Sequence, residues 1–430
     1  MQRFKYFFPA LLLFLTISIS ACTDKTVKIY SANIPVYMET EAFRTQNFVF
    51  ESPKPLLRPG KIYIYNNLLL VNDLMTGVHF FDNSNPAAPV DLGFLPVHAN
   101  ADIAVRNDIM YLDSYTDLLA FNISSPSDPY FVCRVEDVFD FQNYGYLSGI
   151  DNNYPTTEVD ESQGVVTGWT VGETVEEVNN SYNNWNFTTF DNSGGGPVSL
   201  GDASSSGLNN AGGQGIAGST AKFAIKDNIL YTLEIRELGV FDITSCPSHL
   251  RDITLDRASE TLFPYDGNLF IGTTTGMLIY DISTPASPSF VSLYAHVRSC
   301  DPVVVQGDKA FVTLSSGTNC AGIVNQLHVI DLSNIALPTV VHGFDMTNPK
   351  GLGLDGNTLF LCDGADGLKV FDKTDLSAID QNMISQFSGI TAADVIPLNG
   401  VLLMTSEEGI FQYDYSDLNN IVQLSLIPRQ

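Results

Sequence analysis

The chain is predicted to be all-β, a seven-bladed β-propeller of four-stranded antiparallel blades, and three observations predict it. An apolar run ending in an acid or its amide recurs seven times. The copies are spaced almost evenly, and each leads into a turn rich in Ser, Asn and Pro. The acid or amide falls at Asp82, Asn122, Asp242, Asp281, Asp331, Asp372 and Asp414, at intervals of 40, 120, 39, 50, 41 and 42 residues. One such unit cannot bury its own apolar face, so a period near forty marks a radial or stacked repeat.

Each unit carries the same run of signals. In the first, apolar or alternating stretches at 61–65, 68–71, 77–82 and 90–97 are separated by Asn, Asp, Gly and Pro. That is the signature of short strands joined by hairpins, four to a unit, which is the size of a propeller blade. Closing seven blades into a ring leaves no long exposed sheet edge, whereas a solenoid would need distinct caps. The propeller is assigned to residues 58–430.

Leu327-His328-Val329-Ile330-Asp331, Leu368-Lys369-Val370-Phe371-Asp372 and the continuation Asp82-Asn83-Ser84-Asn85-Pro86 resemble the LVIVD repeat, a family of extracytoplasmic bacterial β-propellers. The likeness covers residues 58–428 apart from one insertion. The second copy departs with Asn122 in place of Asp, and the seventh has Asp417 where the turn proline would stand. The resemblance implies a fold and no reaction. The repeated acid reads as structural, because a carboxylate at a strand end accepts hydrogen bonds from the turn that follows, as Asn122 also can.

The first 21 residues read as a secretory signal, with Arg3 and Lys5 ahead of an apolar stretch too short to span a membrane. Ile19-Ser20-Ala21-Cys22 is similar to a bacterial lipobox, so Cys22 is expected to carry lipid and tether the chain outside the cytoplasm, on the outer membrane. Residues 22–57 form a tether and arm, whose strand-like segments 27–30 and 36–38 are expected to pack outside the ring near blade seven. The membrane is met through the lipid anchor alone. The other cysteines are Cys133, Cys246, Cys300, Cys320 and Cys362, an odd number. Cys300 and Cys320 are expected to form a disulfide on one face of blade five, with the remaining pairings open. A net charge of −27 excludes nucleic acid as a partner, since no basic stripe exists to displace phosphate counterions.

With strands lettered a to d from the axis outward, loops a–b and c–d open on one face and b–c and d–a on the other. The irregular features gather on the second face. The largest is an insertion at about 142–217, between blades two and three, with nine acids, no Lys or Arg, and both tryptophans of the chain. Tyr144, Tyr146, Tyr154, Trp169, Tyr182 and Trp185 are its candidate recognition residues, since loop aromatics can stack on sugars or anchor a protein. For most of them the plainer reading is packing, with 164–169 as an extra strand. Its removal is expected to leave the seven blades folded.

Catalytic signals are thin. His79 and His328 occupy one repeat position inside strand c of distant blades and read as strand packing. Lys61, Asp102, Lys222, Glu260, Asp301, Lys350 and Asp394 stand near the entries of the inner strands and read as a solvated channel rim. No catalytic residue, metal site or cofactor is assigned. Two functional classes stay open: a non-catalytic envelope propeller binding a protein or glycan through the insertion-bearing face, and a glycan- or lactone-hydrolysing enzyme with its site at the channel mouth.

Overall fold

The computed structural model describes residues 26–140, 149–151, 153–178, 216–219, 221–296, 302–316 and 324–430. Seven four-stranded antiparallel sheets form the ring, each built from four consecutive strands. Blade one comprises Pro59–Tyr65, Leu68–Asp73, Gly77–Asp82 and Val90–Pro96, and blade two Ile103–Arg106, Ile109–Ser114, Asp117–Asn122 and Tyr130–Val135. Blade three follows at Phe223–Lys226, Ile229–Leu233, Glu237–Asp242 and Ser248–Thr254. Blades four to seven begin with the inner strands Ser259–Tyr265, Val303–Gln306, Leu352–Asp355 and Ala392–Leu398, and the last blade ends at Val422–Pro428.

The seven acids and amides do one job. The side-chain oxygen of Asp82, Asn122, Asp242, Asp281, Asp331, Asp372 or Asp414 accepts from the backbone N–H two residues on, at 2.7–3.1 Å. The intervening residue donates its N–H to a carbonyl of the same blade's a–b turn, as Asn83 does to Asn67 (2.7 Å) and Ile282 to Gly267 (2.8 Å). Both turn types therefore share one face, as the strand lettering requires. The a–b turns are two-residue hairpins carrying positive φ at Asn66, Asn107, Asp227, Asp266, Gly307, Gly356 and Asn399, the conformation that suits Asn, Asp and Gly.

A further repeated device lies in the c–d ladder. In every blade the register slips by one residue at the same point, leaving Leu92, Val132, Leu250, Val291, Val341, Ile384 or Leu424 as the extra residue of strand d. Such bulges increase local twist, which a radial blade needs between its axial and outer edges.

Apolar faces of neighbouring blades pack together around the ring. Ile62, Ile64, Leu69 and Val71 of blade one share a cluster with Ile396, Leu403 and Ile410 of blade seven, which closes the circle without exchanging a strand.

The N-terminal arm departs from its expected place. Thr26–Met38 is one continuous strand paired antiparallel with Val165–Val178 of the insertion. A short helix, Thr40–Arg44, follows. The chain then runs over blades two and one, with Phe48 against Phe121 (5.0 Å between ring centres) and Phe131 (5.3 Å), and Phe50 edge-on to Phe80 (5.3 Å). Glu51 exchanges backbone hydrogen bonds with Phe94 on the outer strand of blade one. Blade seven is reached only at Leu56, which bridges to Arg429. Aromatic burial on blades one and two decides this path, because three phenylalanines of those blades receive the arm's two.

Candidate functional site

The b–c/d–a face carries three structures that the repeats alone do not supply: the arm, the two-stranded ribbon and an axial segment. The ribbon base is apolar. Val165, Val166 and Trp169 bury against Leu74, Met75, Ala99 and Tyr115, which are b–c and d–a loop residues of blades one and two. Midway along, Asn33 is 1% exposed and is the centre of a knot. Its Nδ2 donates to the carbonyls of Asp151 (2.9 Å) and Tyr154 (2.8 Å), its Oδ1 accepts from Asp151 N–H (2.9 Å), and its backbone pairs with Pro155 and Thr157. The loop after residue 148 is thus laced to the ribbon, and Gly149 approaches the Trp169 carbonyl so closely that a Cβ would stand 2.0 Å from it.

The short helix is clamped to blade two by a buried carboxylate. Asp117 accepts from Arg44 Nε (2.9 Å) and Nη2 (2.7 Å), from Arg134 Nη1 (2.6 Å) and from Asp137 N–H (3.0 Å). Burial by itself would push this carboxyl up, but the hydrogen bonds from Arg44, Asp137 and Arg134 outweigh it and hold the group below the usual range.

The axis is occupied by the chain itself. Ile216 and Ala217 pair with Ile64 and Tyr63 on the free inner edge of blade one's strand a. Ser219 is buried; its Oγ lies 3.4 Å from Asp394 Oδ1 in blade seven and accepts from Leu352 N–H of blade six (3.2 Å). The Ala221 carbonyl accepts from Leu262 N–H of blade four (2.7 Å), and Lys222 N–H donates to Asp102 of blade two (2.5 Å). Ile216, Ala217, Ser219, Ala221 and Lys222 thereby touch the inner strands, or the entries to them, of five blades.

This changes the reading of the inner-strand ions. Lys61, Asp102 and Asp394 are buried, and Lys222, Glu260 and Lys350 are half-buried, so they do not form a solvated rim. Asp301 lies outside the described residues. Lys61 Nζ stands 3.5 Å from Asp102, and burial, with Lys61 nearby, lowers the affinity of Lys222 for its proton. Behind Asp102, burial pushes Asp113 up to about 6, although it accepts from Ala101 N–H (2.9 Å), Asp102 N–H (2.8 Å) and Asn100 Nδ2 (2.8 Å). Of these groups, Asp102 and Asp394 contact the internal segment directly.

Of the sequence-derived site residues, Cys22, Cys300, Cys320, Tyr144, Tyr146, Tyr182 and Trp185 lie outside the described residues. Tyr154 is 39% exposed on the loop laced to Asn33, while Trp169 is 6% exposed and packs the ribbon base. Trp169 therefore presents no ring to a partner in this structure, in line with the packing reading of the insertion's strand. That strand runs longer than 164–169 and pairs with the arm, not with a blade. His79 is buried with Nε2 3.5 Å from Asp73, and His328 hydrogen-bonds Tyr294 and Gln326, both inside their sheets. Among the described residues no three His, Cys, Asp or Glu side chains are grouped to hold a metal.

Sequence reasoning missed Asn33, Arg44 and Asp117, and it left the pairing of Cys133, Cys246 and Cys362 open. Cys133, in strand d of blade two, is bonded to Cys246, in the c–d turn of blade three, with Cα atoms 6.1 Å apart. The bond joins the two blades between which the insertion leaves the ring. Cys362 is buried in strand b of blade six.

Comparison with known proteins agrees with this architecture. The family described as LVIVD repeat matches residues 265–296, which hold three strands of blade four. No curated protein matches the sequence. Among solved structures, a protein from Lactobacillus plantarum superposes with a TM-score of 0.52 at 12% identity, covering 86% of this chain and 97% of that one. Sqt1 of Saccharomyces cerevisiae gives 0.49 at 9% identity over 91% and 99% of the two chains. BamB from Moraxella catarrhalis gives 0.47 at 8% over 90% and 97%. At such identities the likeness bears on the fold alone, and nothing rests on the last two.

Proposed function

We propose that this propeller, whose chain carries the LVIVD repeat, is a non-catalytic binding or scaffold protein of the bacterial cell envelope. In this reading it is tethered by lipid at Cys22 and recognises a protein or glycan on its b–c/d–a face. One observation carries the proposal: the insertion is held at both ends, by the ribbon that ends at Val178 and by the axial pairing that begins at Ile216. Residues 179–215, which include Tyr182 and Trp185, are thus connected to rigid supports on each side, the arrangement that lowers the ordering cost of a recognition segment. The hydrolase alternative loses support because residues 216–219 and 221–222 lie against the inner strands at the axial position it would use.

Deleting 142–217, which is expected to leave the seven blades folded, would also remove contacts made by the ribbon and the axial segment. The strand Val165–Val178 is the partner of the arm, and Ser219 and its neighbours pack the inner strands. A sharper test leaves both supports in place. The Tyr182→Ser/Trp185→Ser double variant is expected to keep its unfolding temperature and to lose its partner in pull-downs from crosslinked envelope. Retention of the same partner at wild-type yield would move recognition elsewhere. Cys22→Ala is expected to shift the protein from membranes to the soluble exported fraction. An unchanged membrane fraction would remove the tether from the proposal.

A further inference from the structure

Between the arm, the ribbon and blades one and two lies a cavity of about 280 Å³, near the lower end of the ~300–1,000 Å³ typical of small-molecule sites. Its wall is assembled from well-separated pieces of chain. Phe43, Asn47 and Phe48 come from the helix and arm, Thr167 from the ribbon, Met75 and His98 from loops of blade one, and Arg134 from strand d of blade two. Arg58, just before the first strand, completes it.

The chemistry of this lining runs against that of the chain. Acids outnumber Lys and Arg by 48 to 21 overall, yet no residue of the wall is acidic, and two arginines and a histidine face the same space. Both guanidiniums are held in place. The Arg134 guanidinium carbon sits 5.7 Å from the ring centre of Phe43 and 5.9 Å from that of Phe48, while Asp117 takes only its Nη1. Arg58 is fixed through Nη2 to the Leu74 carbonyl (2.9 Å). Burial lowers the pKa of Arg58, with Asp73 opposing the shift. Phe43, Phe48 and Met75 supply the apolar part of the same lining.

We propose that this cavity binds a small organic monocarboxylate, its carboxylate facing Arg58 and Arg134 and its apolar body against Phe43, Phe48 and Met75. Arginine forks match carboxylates, and a preformed, partly desolvated site strengthens the pairing. The volume suits a short acyl or single-ring acid. Because the ribbon supplies Thr167 and the arm supplies Phe48, a bound acid would bridge the insertion's support to the ring. The inference does not depend on the envelope partner.

Calorimetric titration of the exported chain with hexanoate and benzoate, against hexanamide and benzamide as neutral isosteres, tests it. At least one acid is expected to bind saturably, and its amide at least tenfold more weakly. Arg58→Gln should weaken the acid at least tenfold. Asn47→Trp, at an exposed position of the wall, should block the cavity with circular dichroism unchanged, and it decides the matter where Arg58→Gln fails to fold. No saturable binding of either acid, equal binding of acid and amide, or wild-type affinity in folded Asn47→Trp would overturn the proposal.

Discussion

Asn83 and Gln412, 329 residues apart, exchange two hydrogen bonds through their side-chain amides, at 2.9 and 2.8 Å, across the seam between blades one and seven. Gln412 sits in strand c of blade seven with no exposed surface, and Asn83 is the residue directly after the turn-capping Asp82. Beside them Ser425 Oγ donates to the Pro86 carbonyl (2.6 Å), and Gln430 N–H to the Leu56 carbonyl (2.9 Å). Because no strand is exchanged between the chain ends, the seam rests on these hydrogen bonds and on the apolar cluster. Gln412→Ala is expected to cost about 1–3 kcal/mol, since it strands the Asn83 amide and opens space at a buried site. Chemical denaturation would show it as a lower midpoint, and an unchanged midpoint would mean that the apolar cluster alone closes the ring.

The Cys133–Cys246 bond occupies the equivalent place between blades two and three. Cys133 pairs with Ala120 in its ladder, as Ser425 pairs with Gln412 and Ser292 with Ile279. Cys246 lies four residues past its turn acid, as do Pro86 and Ile335, whose carbonyls accept from Ser425 and Ser292. One blade-to-blade contact is therefore made by a hydroxyl at two seams and by a disulfide at a third. The bond closes a long loop, with 113 residues separating its cysteines, for which chain-entropy estimates give about 4–5 kcal/mol, model-dependent. Cys133→Ser/Cys246→Ser should lower the unfolding temperature by several degrees and reduce its sensitivity to reductant. An equal response to reductant in the double variant would assign that sensitivity to other cysteines.

The comparison of these seams explains what the sequence did and did not disclose. The turn acids were legible because each works within its own blade, at two residues' distance. The disulfide would also have been legible had strand d been aligned between repeats, but the strand d sequences diverge: Tyr130 to Val135 and Val422 to Pro428 share little beyond their bulged Val132 and Leu424. The arm, the ribbon and the axial segment were not legible. Their pairings, Asn33 with Asp151 or Ser219 with Asp394, each involve a residue outside the repeats and join positions more than a hundred residues apart. A run such as Val27 to Tyr30 announces a strand but not the edge that receives it.

The turn acids also predict an acid limb in the stability profile. Hydrogen bonds from the following Ser or Thr hold Asp82, Asp242, Asp281, Asp331, Asp372 and Asp414 below the ordinary carboxylate pKa. Folded carboxyls that bind protons less readily than unfolded ones contribute fully above the unfolded value near 4, and the contribution is lost as pH falls through the lower folded values. Asp113 and Glu234 run the other way. Burial pushes them up to about 6 and about 7, so stability should decline as pH rises from about 4 toward those values. Replacing the six turn acids with Asn, as blade two already has at Asn122, should flatten the limb below pH 4 while leaving neutral-pH stability nearly unchanged. Asp113→Asn should flatten the upper limb alone. Unfolding temperatures recorded from pH 2.5 to 8 check both, and an acid limb that survives the six replacements would place its origin in other carboxylates.

The clamp at Asp117 yields the last prediction. Its carboxylate is 1% exposed and receives two guanidiniums and a backbone N–H, whereas Glu136 and Asp137, the other partners of Arg44, are exposed. Removing the buried member leaves two arginines without their desolvated counter-charge, and the exposed pairs are screened too well to replace it. Asp117→Ala is expected to cost about 3 kcal/mol, less than the loss of a fully enclosed pair because Arg44 keeps its solvent-side partners. The loss should be local. Asp117 lies on blade two, but the segment it secures runs from Arg44 to Arg58 outside the ring, so trypsin should cut the variant after Arg44 well before it attacks the blades, while Pro55 and Pro59 protect the bonds after Lys54 and Arg58. Phe48 and Phe50 would leave their places against Phe121 and Phe80 in the same event, and the wall supplied by Phe43 and Phe48 would go with them. Native-state proteolysis followed by mass spectrometry separates this outcome from general unfolding. Cleavage that begins inside the blades would show that Asp117 supports the ring itself, with the arm merely resting on it.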